Sequence, residues 1–229
     1  MENEDLQFMR ETLPFWDELN DAQQKSLKDS VTKKTFVRGE SLHSGDEDCL
    51  GLFVLKSGRI RVFFLSETGK EITLYRLFER DICIFSASCI IRNINFEVFV
   101  TAETHTQALL IPTLVFDRLS NSSIAASAYA NQLMASRFSD VMWVMEQVLF
   151  MSFDKRLAIF LLEQANMEGK DRIQLTQEAI ANHIGSAREV VTRMLKYFQE
   201  EGIVELFRGG VKITNRKKLL ALTDTDQDS

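Results

Sequence analysis

Long hydrophobic runs are missing from this 229-residue sequence, and nowhere do apolar residues continue for the ~18 positions that a membrane-spanning helix needs. The opening MENEDLQFMRE is acidic and lacks the apolar core of a signal peptide, so a cytoplasmic protein with no membrane partner is expected. Cysteine is scarce. Cys49, Cys83 and Cys89 are too few and odd in number for a secreted disulfide framework, and they cannot supply the four thiolates of an ordinary iron–sulfur cluster. His43, His105 and His183 are scattered, with no H-x-H pair for a metal oxygenase, so neither haem nor a catalytic metal is expected. H-E-x-x-H, a phosphate loop and a nucleophile elbow are also absent. A jelly-roll enzyme and a purely dimeric scaffold therefore stand only as alternatives to a binding protein.

Hydrophobic residues make up 45% and charged residues 26%, the profile of a globular chain able to bury one or two cores. The net charge of −6 argues, as an average, against a nucleic-acid partner. It is unevenly spread. Residues 1–151 hold 15 Lys/Arg against 21 Asp/Glu, whereas residues 170–218 hold 10 against 6. A locally basic module on an acidic body can still bind a polyanion, because screening confines each patch to ~10 Å.

Residues up to about 30 read as helical, and from Thr35 the period shortens. LGLFVLKSGRIRVFFLSETGKEITLYRL holds three β-rich runs, parted by turns at Lys56-Ser57-Gly58 and Ser66-Glu67-Thr68-Gly69. In the second run Ile60, Val62 and Phe64 alternate with Arg59, Arg61 and Phe63, which predicts a half-buried strand. FEVFVTAET and TQALLIP continue the strands to Pro112, and a short helix follows over Thr113 to Leu119. Such spacing predicts a small antiparallel barrel or jelly roll. Ile124 to Phe150 then contains neither Gly nor Pro, so a helix ~40 Å long is expected. Met134, Phe138, Val141, Met145 and Val148 fall on it at alternating four- and three-residue steps. That stripe packs either on the barrel or on a second copy of the chain, and self-association is the preferred reading. Ser152-Phe153-Asp154 breaks the run. The expected division is a sensor over residues 1–120, a dimerisation helix over 121–151 and a third module over 152–229.

The third module carries the most specific pattern, TQEAIANHIGSAREVVTRMLKYFQEEG. Ala181, Gly185 and Val191 supply what a helix-turn-helix needs: a small residue at the crossing, a glycine in the turn and a branched residue on the inner face of the second helix. Thr176 and Ser186 are the expected N-caps. Ser186 with Glu189 also fits a capping box, so Glu189 either closes that box or accepts from a cytosine amino group. Arg188, Glu189, Thr192 and Arg193 lie on the first turns of the second helix and are the candidate base readers. EEGIVELFRGGVKI follows as a hairpin, the wing. Candidate phosphate contacts are Gln177, Ser186, Lys196, Arg208 and Lys212.

With these motifs the chain resembles the cyclic-AMP receptor / fumarate–nitrate regulator (CRP/FNR) class of bacterial transcription factors over nearly its whole length. VRGESLHSGDEDCLGLFVLKSGRIRVFFLSETGKEITLYRL carries the class glycines at Gly39, Gly45, Gly58 and Gly69, and LTQEAIANHIGSAREVVTRMLKYFQEEGIVEL is the more specific match. The resemblance implies an α+β architecture: an N-terminal jelly-roll sensor, a long dimerisation helix and a C-terminal winged helix-turn-helix. It further implies a homodimer on an inverted-repeat DNA duplex, with Arg188, Glu189 and Arg193 reading a guanine-containing half-site. RNA polymerase is an expected partner; activation or repression depends on where the operator lies.

Cyclic-nucleotide sensors of this class read Gly-Asp-x-x-Gly-Glu before a later Arg-Ser or Arg-Thr, which hold ribose and phosphate respectively. Here the run is Arg80-Asp81-Ile82-Cys83-Ile84-Phe85, and Phe96-Glu97 falls at the phosphate pair. A phosphate facing Glu97 would lack a counter-charge, so a cyclic nucleotide is disfavoured; a nucleotide sensor with an altered pocket stays as the alternative. The N-terminal cysteine cluster of the iron–sulfur members is absent as well. What remains is an apolar small-molecule effector at Ile84, Phe85, Ser86, Phe96, Glu97, Met134 and Phe138, or thiol chemistry. Cys83 and Cys89 are either space-filling core residues or a reversible disulfide.

Overall fold

A computed structural model describes residues 2–44, 50–84 and 97–224. Cys49, Cys89, Phe85, Ser86, Phe96 and Gly45 lie outside them, and of the residues named for the effector pocket and the disulfide only Ile84, Glu97, Met134, Phe138 and Cys83 are among the described residues. Two compact units emerge. One comprises Met1–Phe64 with Leu74–Val141, the other Leu65–Thr73 with Met142–Ser229.

The first unit opens with α1 (Asn3–Thr12), a 3-10 turn at Trp16–Glu18 and α2 (Asp21–Ser30). Asn20 and Gln23 close α2 with a full capping box, in which each side chain accepts from the other's backbone N–H. Strands β1 (Thr32–Phe36), β2 (Ser41–Ser44), β3 (Gly51–Ser57), β4 (Ile60–Leu65), β5 (Glu71–Leu77), β6 (Ile82–Cys83), β7 (Phe99–Ala102) and β8 (Thr106–Pro112) follow. They form two four-stranded sheets, ordered β1-β8-β3-β6 and β2-β7-β4-β5. The non-sequential neighbours are those of a jelly roll rather than a meander. The core of this unit includes Trp16, Phe53, Leu55, Leu77 and Ile111. Gly58 turns β3 into β4 at φ +90°, and a Cβ there would sit 2.5 Å from the His105 carbonyl oxygen, so only glycine fits.

The expected alternation along β4 is only half met. Ile60 and Val62 are fully buried, but Arg61 and Phe63 on the other face are buried too. Phe63 packs on Phe99 of the neighbouring strand at 5.6 Å, and the Arg61 guanidinium lies 4.3 Å from the Phe63 ring centre. A cross-strand ring pair with a cation over it shields the face that period-two counting assigns to water. Close by, Glu103 is held between two arginines: Arg59 Nε at 2.6 Å, and Arg76 Nε at 2.9 and 3.0 Å from its two oxygens.

Helix α3 (Thr113–Ser122) leads into α4 (Ile124–Phe150), whose bounds are those expected from the sequence. The five stripe residues do not share one environment. Met134 and Val141 are partly buried against the first unit's core, whereas Phe138, Met145 and Val148 are exposed by 65%, 50% and 45%. Leu149 and Phe150 extend the exposed apolar surface. Ser152 is the N-cap of α5 (Phe153–Glu168), so the break falls at Ser152 and helix resumes at Phe153. Within the described residues no helix is long and apolar enough to cross a membrane.

Candidate nucleic-acid interface

The second unit is built on α5, β9 (Arg172–Ile173), α6 (Gln177–Ile184), α7 (Arg188–Glu200), β10 (Val204–Phe207), β11 (Gly210–Ile213) and α8 (Arg216–Ala221). Thr176 caps α6, its hydroxyl accepting from the Ala179 N–H at 3.1 Å. Gly185 ends the helix at φ +66°, and the Ser186 N–H donates back to the Ala181 carbonyl at 3.0 Å. That bond closes α6 in the manner of a Schellman turn and commits Ser186 to the outgoing chain. Ala187, not Ser186, is therefore the N-cap of α7, and it makes no side-chain cap. The Ser186–Glu189 capping box expected from sequence is not formed. The Glu189 side chain is exposed instead.

Ala181 and Val191 are buried at the crossing of α6 and α7, with Ile180, Leu195 and Phe198 around them. Arg156 of α5 donates to the Ile184 carbonyl and so occupies an otherwise open acceptor at the end of α6; burial lowers its guanidinium pKa. His183 stacks on Phe160 with ring centres 5.3 Å apart, so within this motif it is a packed residue.

One helical face of α7 is thereby left to solvent. Arg188, Glu189, Thr192, Arg193 and Lys196 line a shallow groove along it, together with Tyr197 and Glu200. Sequence reading did not single out these last two; their four-residue spacing from Arg193 and Lys196 was the available signal. Arg188 meets the Glu178 carboxylate at 3.9 Å. Among the described residues Arg193 and Lys196 have no ion-pair partner, which leaves their charge free for an anion. A second groove joins Thr176, Gln177, Glu178 and Arg188 to the wing residues Phe207 and Gly209.

The wing is the β10–β11 hairpin with Arg208-Gly209 at its tip, Gly209 at φ +82°. A Cβ on Gly210 would lie 2.4 Å from the Ile173 carbonyl oxygen, so glycine there lets β11 pair with β9. Arg172 rests 3.9 Å from the Phe207 ring centre and braces the hairpin. Arg208 projects into solvent, whereas Lys212 faces Glu205 across the hairpin at 3.7 Å.

Comparison with known proteins agrees with this geometry. Residues 155–222 match the Crp-like helix-turn-helix domain and residues 33–123 the cyclic nucleotide-binding domain. A crystal structure of a putative transcriptional regulator of the CRP/FNR family from Eubacterium rectale is 47% identical, with a TM-score of 0.91 over 93% of this chain and 99% of that one. The chain belongs to the CRP/FNR family. The anaerobic regulatory protein of Aggregatibacter actinomycetemcomitans is 26% identical over 86% of this chain and 78% of its own. The fumarate and nitrate reduction regulatory protein of Vibrio cholerae is 25% identical over 92% and 86%. This CRP/FNR protein is thus a DNA-binding transcriptional regulator, with the winged helix-turn-helix as its reader.

The sensor side of this CRP/FNR protein departs from a nucleotide site where it can be compared. Ile84 and Cys83 are buried in the barrel core, and Glu97 is exposed. A core isoleucine offers nothing to a ribose, and Glu97 brings the same sign of charge as a phosphate. The described residues at these positions do not fit a cyclic nucleotide. Met134 is half-buried and Phe138 exposed. A polar group not foreseen lies nearby instead. Arg137 sits 4.8 Å from the Tyr75 ring centre and 3.0 Å from Asp140. Burial pushes the Tyr75 phenol well above its ordinary pKa, with Cys83 adding and Arg137 opposing. Burial also raises the Asp140 carboxyl, against the pull of Arg137. Arg137 is the single basic residue of α4, and that isolation was its signal in the sequence.

Proposed function

We propose that the protein is a homodimeric regulator that binds an inverted-repeat operator and answers to a signal other than a cyclic nucleotide. The observation that carries the reading is the exposed face of α7, where Arg188, Glu189, Arg193 and Lys196 stand beside the wing. Arg188 and Arg193 offer donors for guanine, and Glu189 offers an acceptor for a cytosine amino group. Gln177, Ser186, Lys196, Arg208 and Lys212 hold the phosphate backbone on either side. The exposed stripe of Phe138, Met145 and Val148 joins two copies, and two recognition helices then meet half-sites about one helical turn (~34 Å) apart. The two-domain match supports a sensor that shifts the population of reader orientations. RNA polymerase is the expected downstream partner, in the cytoplasm.

The test is selection of bound duplexes from a random pool, repeated under oxidising and reducing conditions. An inverted repeat with guanine in each half-site, bound more weakly as salt rises, is the expected result. Enrichment of no sequence, or binding insensitive to salt, overturns the reading.

A further inference from the structure

Thr192 stands among the base-facing residues of α7 by position, yet its hydroxyl is already engaged. Thr192 Oγ1 lies 2.6 Å from Gln177 Oε1 and 2.8 Å from the Arg188 carbonyl oxygen. A separation of 2.6 Å suits O–H···O and falls below the ~2.7–3.2 Å of N–H···O. The carbonyl end of the Gln177 amide therefore faces Thr192. The one hydroxyl hydrogen is shared between two acceptors, and none is left to offer a base.

The same bond decides where the other end of Gln177 points. With Oε1 turned to Thr192, Nε2 remains as the free end of the amide, and among the described residues nothing accepts from it. Gln177 is the first residue of α6, and Thr176 caps only the Ala179 N–H. The N–H groups of Gln177 and Glu178 are thus among those a helix start leaves without an internal acceptor. Side-chain and backbone donors converge on one groove, which runs between the start of α6 and the wing. We infer that Thr192 is a positioning residue rather than a base reader, and that it locks the Gln177 amide so that Nε2 donates to a backbone phosphate of the operator.

The inference rests on the DNA-reading assignment of α7, and one experiment separates the two. The full-length protein is titrated with the selected operator and with its single-base-pair variants. Arg193→Ala tests the assignment: it should flatten preference at one base pair. Thr192→Val should weaken every duplex by the same factor, about tenfold, because a hydrogen bond to a charged group is lost without any base contact. Its salt slope should stay unchanged, since no cation is removed. Thr192→Ser should restore binding, and Gln177→Ala combined with Thr192→Val should bind no more weakly than Gln177→Ala alone. If Thr192→Val fails to fold, Gln177→Glu carries the test: it keeps the acceptor for Thr192, removes the donor and should weaken all duplexes more than Gln177→Ala. A changed base preference in Thr192→Val, additive losses in the double variant, or Gln177→Glu binding as well as wild type overturns the inference.

Discussion

The two units use their half-buried and exposed cations differently. In the sensor unit a set of cations is tied to carboxylates of the same unit: Arg59 and Arg76 on Glu103, Lys56 on Glu4 and Asp5, Arg80 on Glu11, Arg137 on Asp140. In the reader unit Arg193, Lys196 and Arg208 face solvent, and among the described residues they have no ion-pair partner. Arg188 has only a long contact to Glu178. A guanidinium already engaged with a carboxylate fixes the fold. One held out by a packed helix, with water as its only neighbour, is available to a phosphate or a guanine. An arginine count alone therefore says little about DNA binding; the distinction lies in whether each charge is satisfied from within.

Five substitutions would sharpen or break that contrast. The largest effect is expected at α4, which belongs to both units and exposes apolar rather than charged side chains. Met145→Glu should turn the dimer into a monomer, by light scattering, and lower operator affinity by about 10²–10⁴-fold, because two linked half-site contacts become one. A monodisperse dimer would remove the stripe from the interface. Next comes Glu103→Ala, which leaves two largely buried guanidiniums without their anion. It should cost about 3 kcal/mol of sensor stability in denaturant titrations. Unchanged stability would mean that the sensor cations are no more engaged than those of the reader.

Arg193→Ala belongs on the other side of the comparison, with no change in melting and ~1–3 kcal/mol lost on the selected operator. Arg208→Ala should instead weaken all duplexes alike and reduce the salt slope by about one. If Arg193→Ala lowered the melting temperature, its charge would be structural after all. The smallest effect is at Glu4. Its carboxyl is held below the ordinary glutamate pKa, first by the hydrogen bond from Lys56 and then by that charge. Because the folded value is depressed, this contribution is present above the unfolded glutamate pKa and is lost as pH falls through the folded one. Glu4→Gln should slightly flatten the acid limb of a stability–pH curve and leave neutral pH binding untouched.

Legibility followed the range of the forces involved. Helix α4 was readable because its apolar four- and three-residue steps are a local property. The helix-turn-helix was readable because Ala181, Gly185 and Val191 interact over ten residues. The cap of α7 was misplaced by one residue, since the Ser186 N–H serves the end of α6 before α7 begins. Arg61 read as a water-facing residue because nothing in β4 reveals that Phe63 and Phe99 meet across the sheet. Tyr75 and Arg137, distant along the chain, were invisible as a pair.

By itself, the sequence determined that this is a CRP/FNR-type regulator: periodicity, turn glycines and the reader motif act within a few turns of chain. Only the tertiary structure decided which charges are free, that the Cys83 thiol is buried and which hydroxyl on α7 is already engaged. Those outcomes depend on contacts between residues remote in sequence, where a hydrogen bond or a covering ring removes a group from water.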